Sequence, residues 1–260
     1  MGFFRPHTPY VAPKPYFQSY PKDKVELTPD PTADRAAKPQ VALSNTAVAN
    51  YGMSEDTQRT AKQAYLASMS FMDAQFGLVL AELKKQGLDK NTIVIFISDH
   101  GYNLGEHGLW QKRSLYEDSA RVPFIIRDPD SNANGQSTKR VAELLDLYPT
   151  VADLCSLTPD KRAQGKSLRA LLEAPDRPWA NAAYTQVDFG PANGKKGGAR
   201  KSGRSGRTER FRDTEWNEGK LGVELSDHEK DPKELANLAK DPAYAQTVTE
   251  LKATLAKGTN

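Results

Sequence analysis

The chain has 260 residues, 38% of them hydrophobic and 27% charged, with a formal net charge of +3. That is enough apolar polypeptide for one large α/β domain, or one with a small appendage, and it excludes a wholly disordered chain. The single cysteine, Cys155, excludes an internal disulfide and any multi-cysteine metal motif.

No apolar run approaches the roughly 18 residues of a membrane span. The chain opens on Gly2-Phe3-Phe4-Arg5-Pro6-His7, which lacks a signal-peptide core and reads like the middle of a loop. Residues 1–50 are Pro-rich, and prolines at this spacing exclude a long helix or central strand. Phe3, Phe4, Tyr10, Tyr16, Phe17 and Tyr20 demand burial, so this long loop lies against the rest of the molecule.

Residues 55–86 carry the clearest helical signal. Ala61, Tyr65, Met69, Met72, Phe76, Val79 and Leu83 form one apolar stripe, with Ser54 as N-cap and Gly87 just past the end. After a short turn, Thr92–Ile97 form a continuous apolar run. Its length and β-branching predict a strand buried on both faces, as in the centre of a parallel sheet. Asp99 and His100 stand at its carboxyl end, where open α/β sheets bind ligands. This acid–imidazole pair suits a metal or anion site, or equally a turn cap beside a hydrogen-bonded core histidine.

The loop that follows, Gly101 to Lys112, holds glycines, His107 and a lysine. His107 is expected to fix the loop by hydrogen bonding, while Glu106 and Trp110 could shape a pocket. A second strand is expected at 122–127 and a helix at 138–157, kinked or restarted at Pro149. Cys155 falls among Val151, Leu154 and Leu157 and reads as a core thiol. Short strands at 183–187, 207–216 and 223–225 and a helix at 240–257 complete a small antiparallel sheet plus helix. His228 is placed in a surface turn. Residues 194–207 form a basic, Gly-rich stretch without aromatics, read as a solvated loop ahead of a nucleic-acid or polyanion contact. The resulting division is 1–169, an α/β domain with residues 1–50 as an active-site loop, and 170–260, a small α+β subdomain.

Five stretches taken together resemble the sulfatase family of the alkaline-phosphatase-like superfamily, most closely its iduronate-2-sulfatase-like branch. They are Gly2–Tyr10 with Pro13–Phe17, Tyr65–Gly77, Ser98–Lys112, Val122–Ile126 with Glu143–Val151, and Arg207–Trp216 with Glu224–Asp227 and Asp231–Asn237. The Asp99-His100-Gly101 and Gly105-Glu-His-Gly108 elements mark the superfamily. The Arg5-Pro-His-Thr-Pro9 opening and the Thr208-Glu-Arg to Thr214-Glu-Trp216 stretch favour the branch.

The resemblance implies an α/β fold with a mixed or parallel sheet flanked by helices, here incomplete, and hydrolysis of sulfate esters on sugars or polysaccharides. It implies a formylglycine nucleophile, a divalent cation (calcium), Asp99 and His100 at the metal, and Lys112 and His7 on the sulfate. It also implies a sulfated carbohydrate as partner, no nucleic acid or membrane, and a periplasmic or extracellular setting. Calcium prefers oxygen, so the imidazole would also suit zinc or manganese, or would stand beside the ion. The chemistry agrees, because ester cleavage develops negative charge that a cation, a lysine and a histidine stabilise.

One departure matters. No Cys/Ser-x-Pro/Ala-x-Arg motif occurs, since Cys155 is followed by Ser-Leu-Thr, and no Asp-Asp pair follows an N-terminal strand. In the family both precede the Arg-Pro-His-Thr-Pro segment. The chain therefore reads as the carboxyl-terminal half or more of a sulfatase, missing its first β-α-β units and an N-terminal half. It is expected to be inactive alone, and marginally stable or aggregation-prone. The alternatives are a phosphate or phosphonate monoester hydrolase of the same superfamily, and a non-catalytic polyanion-binding fragment.

Overall fold

A computed structural model describes residues 1–29, 31–190 and 201–258. The Pro-rich stretch contains only short helices, α1 (Lys14–Gln18) and α2 (Thr32–Ala36), entered through Pro13 and Pro31. Proline has no N–H to lose at a helix start, which is where these two sit.

Helix α3 (Glu55–Lys85) is capped as its sequence dictates. Ser54 Oγ accepts the Thr57 N–H at 3.3 Å, and Gly87 takes a left-handed φ of 69° just past the C-cap. Its aromatic stripe meets the N-terminal loop and the first strand. Tyr65 packs against Tyr10 at 5.7 Å between ring centres, Phe71 against Tyr16 at 5.4 Å, and Phe76 against Phe96 at 4.9 Å. Three of its other large apolar residues are open, Met69, Leu80 and above all Leu78, which is 65% exposed. The expectation that nothing here is apolar enough for a membrane span is corrected. Within α3 an 18-residue window reaches a mean hydropathy of 1.2, enough by length and composition alone. Charged and polar residues interrupt that window, which is why no unbroken run revealed it.

Strand β1 (Val94–Ile97) leads into a small ribbon of β2 (Asn103–Leu104) and β3 (Trp110–Gln111), then α4 (Glu117–Ala120) and β4 (Phe124–Arg127). Here the structure corrects the expectation of a parallel, doubly buried strand. β1 pairs antiparallel with β4, Ile95 opposite Ile126, and among the described residues its other edge has no partner strand. It is half-buried, and Ile97 and Ile125 are exposed. An apolar run specifies burial against something; it does not specify the direction of the neighbouring strand.

Residues 138–143 are not helical. The helix begins late, as α5 (Leu147–Leu154), with Pro149 in its first turn, because the proline ring would clash with the carbonyl four residues earlier. Cys155 follows its last turn and is exposed, so the core-thiol reading is corrected. After α6 (Arg169–Glu173) comes an antiparallel meander of β5 (Ala183–Phe189), β6 (Lys201–Arg207), β7 (Phe211–Trp216) and β8 (Gly222–Asp227). It is closed by α7 (Ala245–Lys257), whose Leu251 and Leu255 are buried.

The basic stretch is also corrected in part. Residues 191–200 lie outside the described residues, and 201–207 form β6 rather than a loop. Arg204 donates to the Leu255 carbonyl, and Arg207 pairs with Glu117. Gly203 is required there, since an added Cβ would overlap the Trp216 ring and the Leu115 side chain. That close approach seats Trp216 in the principal core with Val41, Ala42, Leu43, Leu109, Leu115, Tyr116 and Phe189. The N-terminal segment, the loop before Lys112 and the C-terminal sheet thus meet in one apolar cluster.

Asp213 on β7 is 2% exposed, and its Oδ2 has no hydrogen-bond partner among the described residues. Burial, then the nearby Glu215, pushes its carboxyl up to about 7. The folded chain therefore holds this proton where the unfolded chain has released it. Its contribution to stability falls by about 1.4 kcal/mol per pH unit from about pH 4 to about 7. Asp213→Asn should raise the melting temperature more at pH 8 than at pH 5, and thermal unfolding followed by circular dichroism at the two pH values checks it.

Candidate active site

The chain turns sharply after β1. Ser98 Oγ donates to the His100 carbonyl at 2.9 Å, and the His100 Nδ1 lies 2.7 Å from the Gly101 carbonyl. A carbonyl only accepts, so Nδ1 carries the proton and Nε2 presents its lone pair. That lone pair faces the Lys112 ammonium at 3.0 Å, and the Asp99 carboxylate lies 3.7 Å from the same nitrogen. Asp99, His100 and Lys112 therefore come together at the carboxyl end of β1.

Gly101 makes this turn possible. Its N–H donates to the Ser119 carbonyl at 2.8 Å, and a Cβ there would overlap the Asp118 carbonyl oxygen. Lys112 is held from behind. Asn45 Nδ2 donates to its carbonyl at 2.7 Å, and Asn103 Nδ2 donates to the neighbouring Gln111 carbonyl at 3.0 Å.

His7 is placed differently. It is exposed, its Nδ1 donates to the Thr8 carbonyl at 2.7 Å, and its ring rests 4.9 Å from Phe4. Among the described residues, no hydrogen bond or ion pair joins it to the other three. What connects the two segments is tyrosine. The Tyr10 hydroxyl hydrogen-bonds Tyr102, two residues after His100, and Tyr65 stacks on Tyr102 with ring centres 5.0 Å apart. Burial, then Tyr102 and Glu106, pushes Tyr65 up to about 12, so these phenols stay neutral. Sequence reasoning missed this cluster and the two asparagines. The demand of Tyr10 for burial and the place of Tyr65 in the apolar stripe of α3 were its visible traces, and nothing in the sequence marks Asn45.

His107 fixes its loop as expected, with Nδ1 2.8 Å from Asp34 Oδ2. Burial would raise the Asp34 carboxyl, but His107 and Lys38 outweigh it and hold it low. Arg35 adds bonds to the carbonyls of His107 at 2.9 Å and Thr46 at 2.9 Å. Glu106 turns back onto the Leu104 N–H at 2.5 Å, and Trp110 Nε1 donates to Asn50 Oδ1 at 2.9 Å, so both brace the loop.

Among the described residues, one group of three ligand-type side chains could hold a metal. It is Glu117, His228 and Glu234, with donor atoms within 4.8 Å of one another. Its carboxylates already carry arginines. Arg212 contacts Glu117 and reaches Glu234 at 2.7 Å, and Arg207 reaches Glu117 at 3.2 Å. The donor set is thus neutralised and suits an ion-pair core better than a cation. His228 sits in a turn just after β8, as expected, but its side chain folds inward, 7% exposed and 3.1 Å from Glu234. Asp99 and His100 offer a divalent cation a carboxylate and an imidazole nitrogen, which accepts from Lys112 here, and two ligands supply only part of a coordination shell.

An acid, an imidazole and a lysine at the end of a strand in an α/β fold are the combination that the resemblance to the sulfatase family implies. The comparisons with known proteins agree. The sulfatase family model matches residues 1–157, and the model for the C-terminal part of N-sulphoglucosamine sulphohydrolase matches residues 105–260. An arylsulfatase of Clostridium perfringens is 32% identical over 99% of this chain and 52% of its own length. Mouse iduronate 2-sulfatase is 34% identical over 60% of this chain and 35% of its own length. The crystal structure of a phosphonate monoester hydrolase from Agrobacterium radiobacter superposes with a TM-score of 0.82 at 25% identity, covering 98% of this chain and 55% of that one. The chain belongs to the sulfatase family. It spans about half the length, or less, of the curated relatives it matches.

The ion-pair core behind the loop gives a pH signature. Burial would raise Glu234, but Arg212, the His228 hydrogen bond and the Glu117 N–H together hold it down to about 2. Its ionised form contributes stability above about pH 4.5, and that contribution is lost as pH falls toward 2. Arg212→Met should cost about 3–5 kcal/mol at pH 7. It should also flatten the fall in stability below pH 4.5, measured by urea unfolding across pH. Gly101→Ala should lower the melting temperature through the overlap with Asp118.

Proposed function

We propose that these residues form the sulfate-facing part of a sulfuric ester hydrolase acting on sulfated sugars or polysaccharides, resembling iduronate 2-sulfatase. The observation that carries this reading is the meeting of the Lys112 ammonium, 3.0 Å away, and the Asp99 carboxylate, 3.7 Å away, at the His100 Nε2. Three groups able to bind cation and anion share one point at the end of a strand. Calcium is the ion proposed for Asp99 and His100, and when bound it would withdraw charge from the nonbridging oxygens of the ester. Lys112 contacts the sulfate and offsets its charge. His7, when protonated, donates to the leaving oxygen from Nε2, its Nδ1 being committed to Thr8. The Tyr10–Tyr102 bond ties the Pro-rich segment that bears His7 to the loop after His100.

The 260 residues lack a Cys/Ser-x-Pro/Ala-x-Arg nucleophile. We propose that the chain alone does not turn over esters, and that the nucleophile and remaining ligands come from polypeptide outside it. The relatives are about twice as long, and the open edge of β1 and the apolar surface of α3 support such a companion. The phosphonate monoester hydrolase likeness favours a second reading, in which the ester is a phosphate or phosphonate.

Binding of sulfate, inorganic phosphate and 4-nitrophenyl sulfate to the calcium-loaded chain, measured by calorimetry, tests this. Sulfate and its ester should bind in preference to phosphate. Lys112→Ala should weaken them roughly 10- to 100-fold, the loss of one charge-assisted hydrogen bond. Preference for phosphate would favour the second reading, and unchanged binding in the variant would refute both. Turnover of 4-nitrophenyl sulfate by the chain alone would refute the need for a companion.

A further inference from the structure

Lys112 stands between two residues in a backbone conformation that most side chains avoid. Gln111 has a φ of 69° and Arg113 a φ of 70°, both in the left-handed region that glycine and asparagine favour. Such backbone costs free energy and persists only where its surroundings over-determine it. Gln111 is exposed, so packing of its own side chain does not dictate that conformation. Hydrogen bonds to the main chain do. Asn103 Nδ2 donates to the Gln111 carbonyl at 3.0 Å and to Ser114 Oγ at 3.2 Å, bracing the turn from within. Arg113 donates to the Asp188 carbonyl at 2.7 Å, its guanidinium carbon 5.3 Å from the centre of the Phe189 ring. Between these two, Asn45 Nδ2 donates to the carbonyl of Lys112 itself at 2.7 Å. Asn45 comes from a turn that cannot easily yield. Leu43 and Thr46 beside it are 2% and 1% exposed, the Thr46 N–H donates to the Leu43 carbonyl at 3.0 Å, and Arg35 donates to the Thr46 carbonyl at 2.9 Å. The main chain is thus clamped on both sides of Lys112, and the ammonium emerges 3.0 Å from His100 Nε2.

We propose that Asn45 is a positioning residue, which clamps Lys112 in this strained turn and so aims its ammonium at a bound anion. This rests on the reading of Lys112 as the sulfate ligand and deepens it, adding the residue through which the fold sets the lysine. A long side chain pays in lost freedom when it closes on a ligand, and a fixed root reduces what is left to lose. Strain held for this purpose exchanges stability for affinity, so the two should move in opposite directions when the strain is released.

Sulfate binding to the full calcium-loaded chain by calorimetry, with thermal unfolding of the same samples by circular dichroism, tests this. Gln111→Gly adopts the left-handed turn without strain. It should raise the melting temperature and yet weaken sulfate roughly 3- to 10-fold, because the root of Lys112 is loosened. Asn45→Ala should weaken sulfate by a similar factor. In the Lys112→Ala background, Asn45→Ala should leave the residual sulfate affinity unchanged, because no ammonium remains to be aimed. A loss that persists at full size in that background would overturn this inference while leaving the Lys112 assignment standing. So would a Gln111→Gly chain that melts lower than the original or binds sulfate as tightly, a result that stands even if Asn45→Ala does not fold. Failure of Lys112→Ala to weaken sulfate would instead overturn the reading on which this rests, and this inference with it.

Discussion

The structure depends on one buried ion cluster. Arg212, on the third strand of the C-terminal meander, reaches Glu234 on the segment after the sheet and Glu117 at the start of α4. Glu234 in turn accepts from the Glu117 N–H at 2.7 Å, and its backbone carbonyl accepts from Lys38 at 2.6 Å. Lys38 also pairs with Asp34 at 3.0 Å, and Asp34 holds His107. Charge is thus balanced along a line from the C-terminal sheet, through α4 and the N-terminal segment, to the loop that ends at Lys112. Buried charges of this kind are costly unless every one is paired, so the line tolerates no missing member.

Above that line lies the shared apolar core. Trp216 seats against Gly203 and Leu115, and donates from Nε1 to Glu224 Oε2 at 2.9 Å. Tyr116 donates to the other oxygen of the same carboxylate at 2.6 Å. The residues just after Lys112 are thereby anchored twice, by packing and by hydrogen bonds. The anion-binding role proposed for Lys112 would lose much of its value through ordering entropy at the end of a mobile loop, and here that ordering is done by the fold.

Much of this was legible in the sequence. Helix α3 announced both its ends, through Ser54 and Gly87, because caps are local. Asp99, His100 and Lys112 were legible through the resemblance, and their meeting is the outcome that spacing alone could not supply. The misreadings share a cause. The direction of β1's neighbour, the burial of His228 and the exposure of Cys155 depend on partners distant in sequence. The stretch at 201–207 looked like a solvated loop because glycine and arginine dominate it. It is a strand because Trp216 needs a glycine beneath its ring, and because Glu117 and the end of α7 take up its arginines. His7 was expected beside the other three, and its tie to them runs through Tyr10 instead.

The edge of β1 that has no partner strand among the described residues sets a rule of parity for whatever pairs with it. Phe96 faces α3, and its strand neighbours Ile95 and Ile97 face the opposite way. An incoming strand brings side chains that alternate in the same manner, so only every second alignment puts its greasy residues beside Phe96. A slip of one position would turn them outward. Recognition at that edge is therefore a matter of even or odd, decided by the period of the backbone before any side chain is compared.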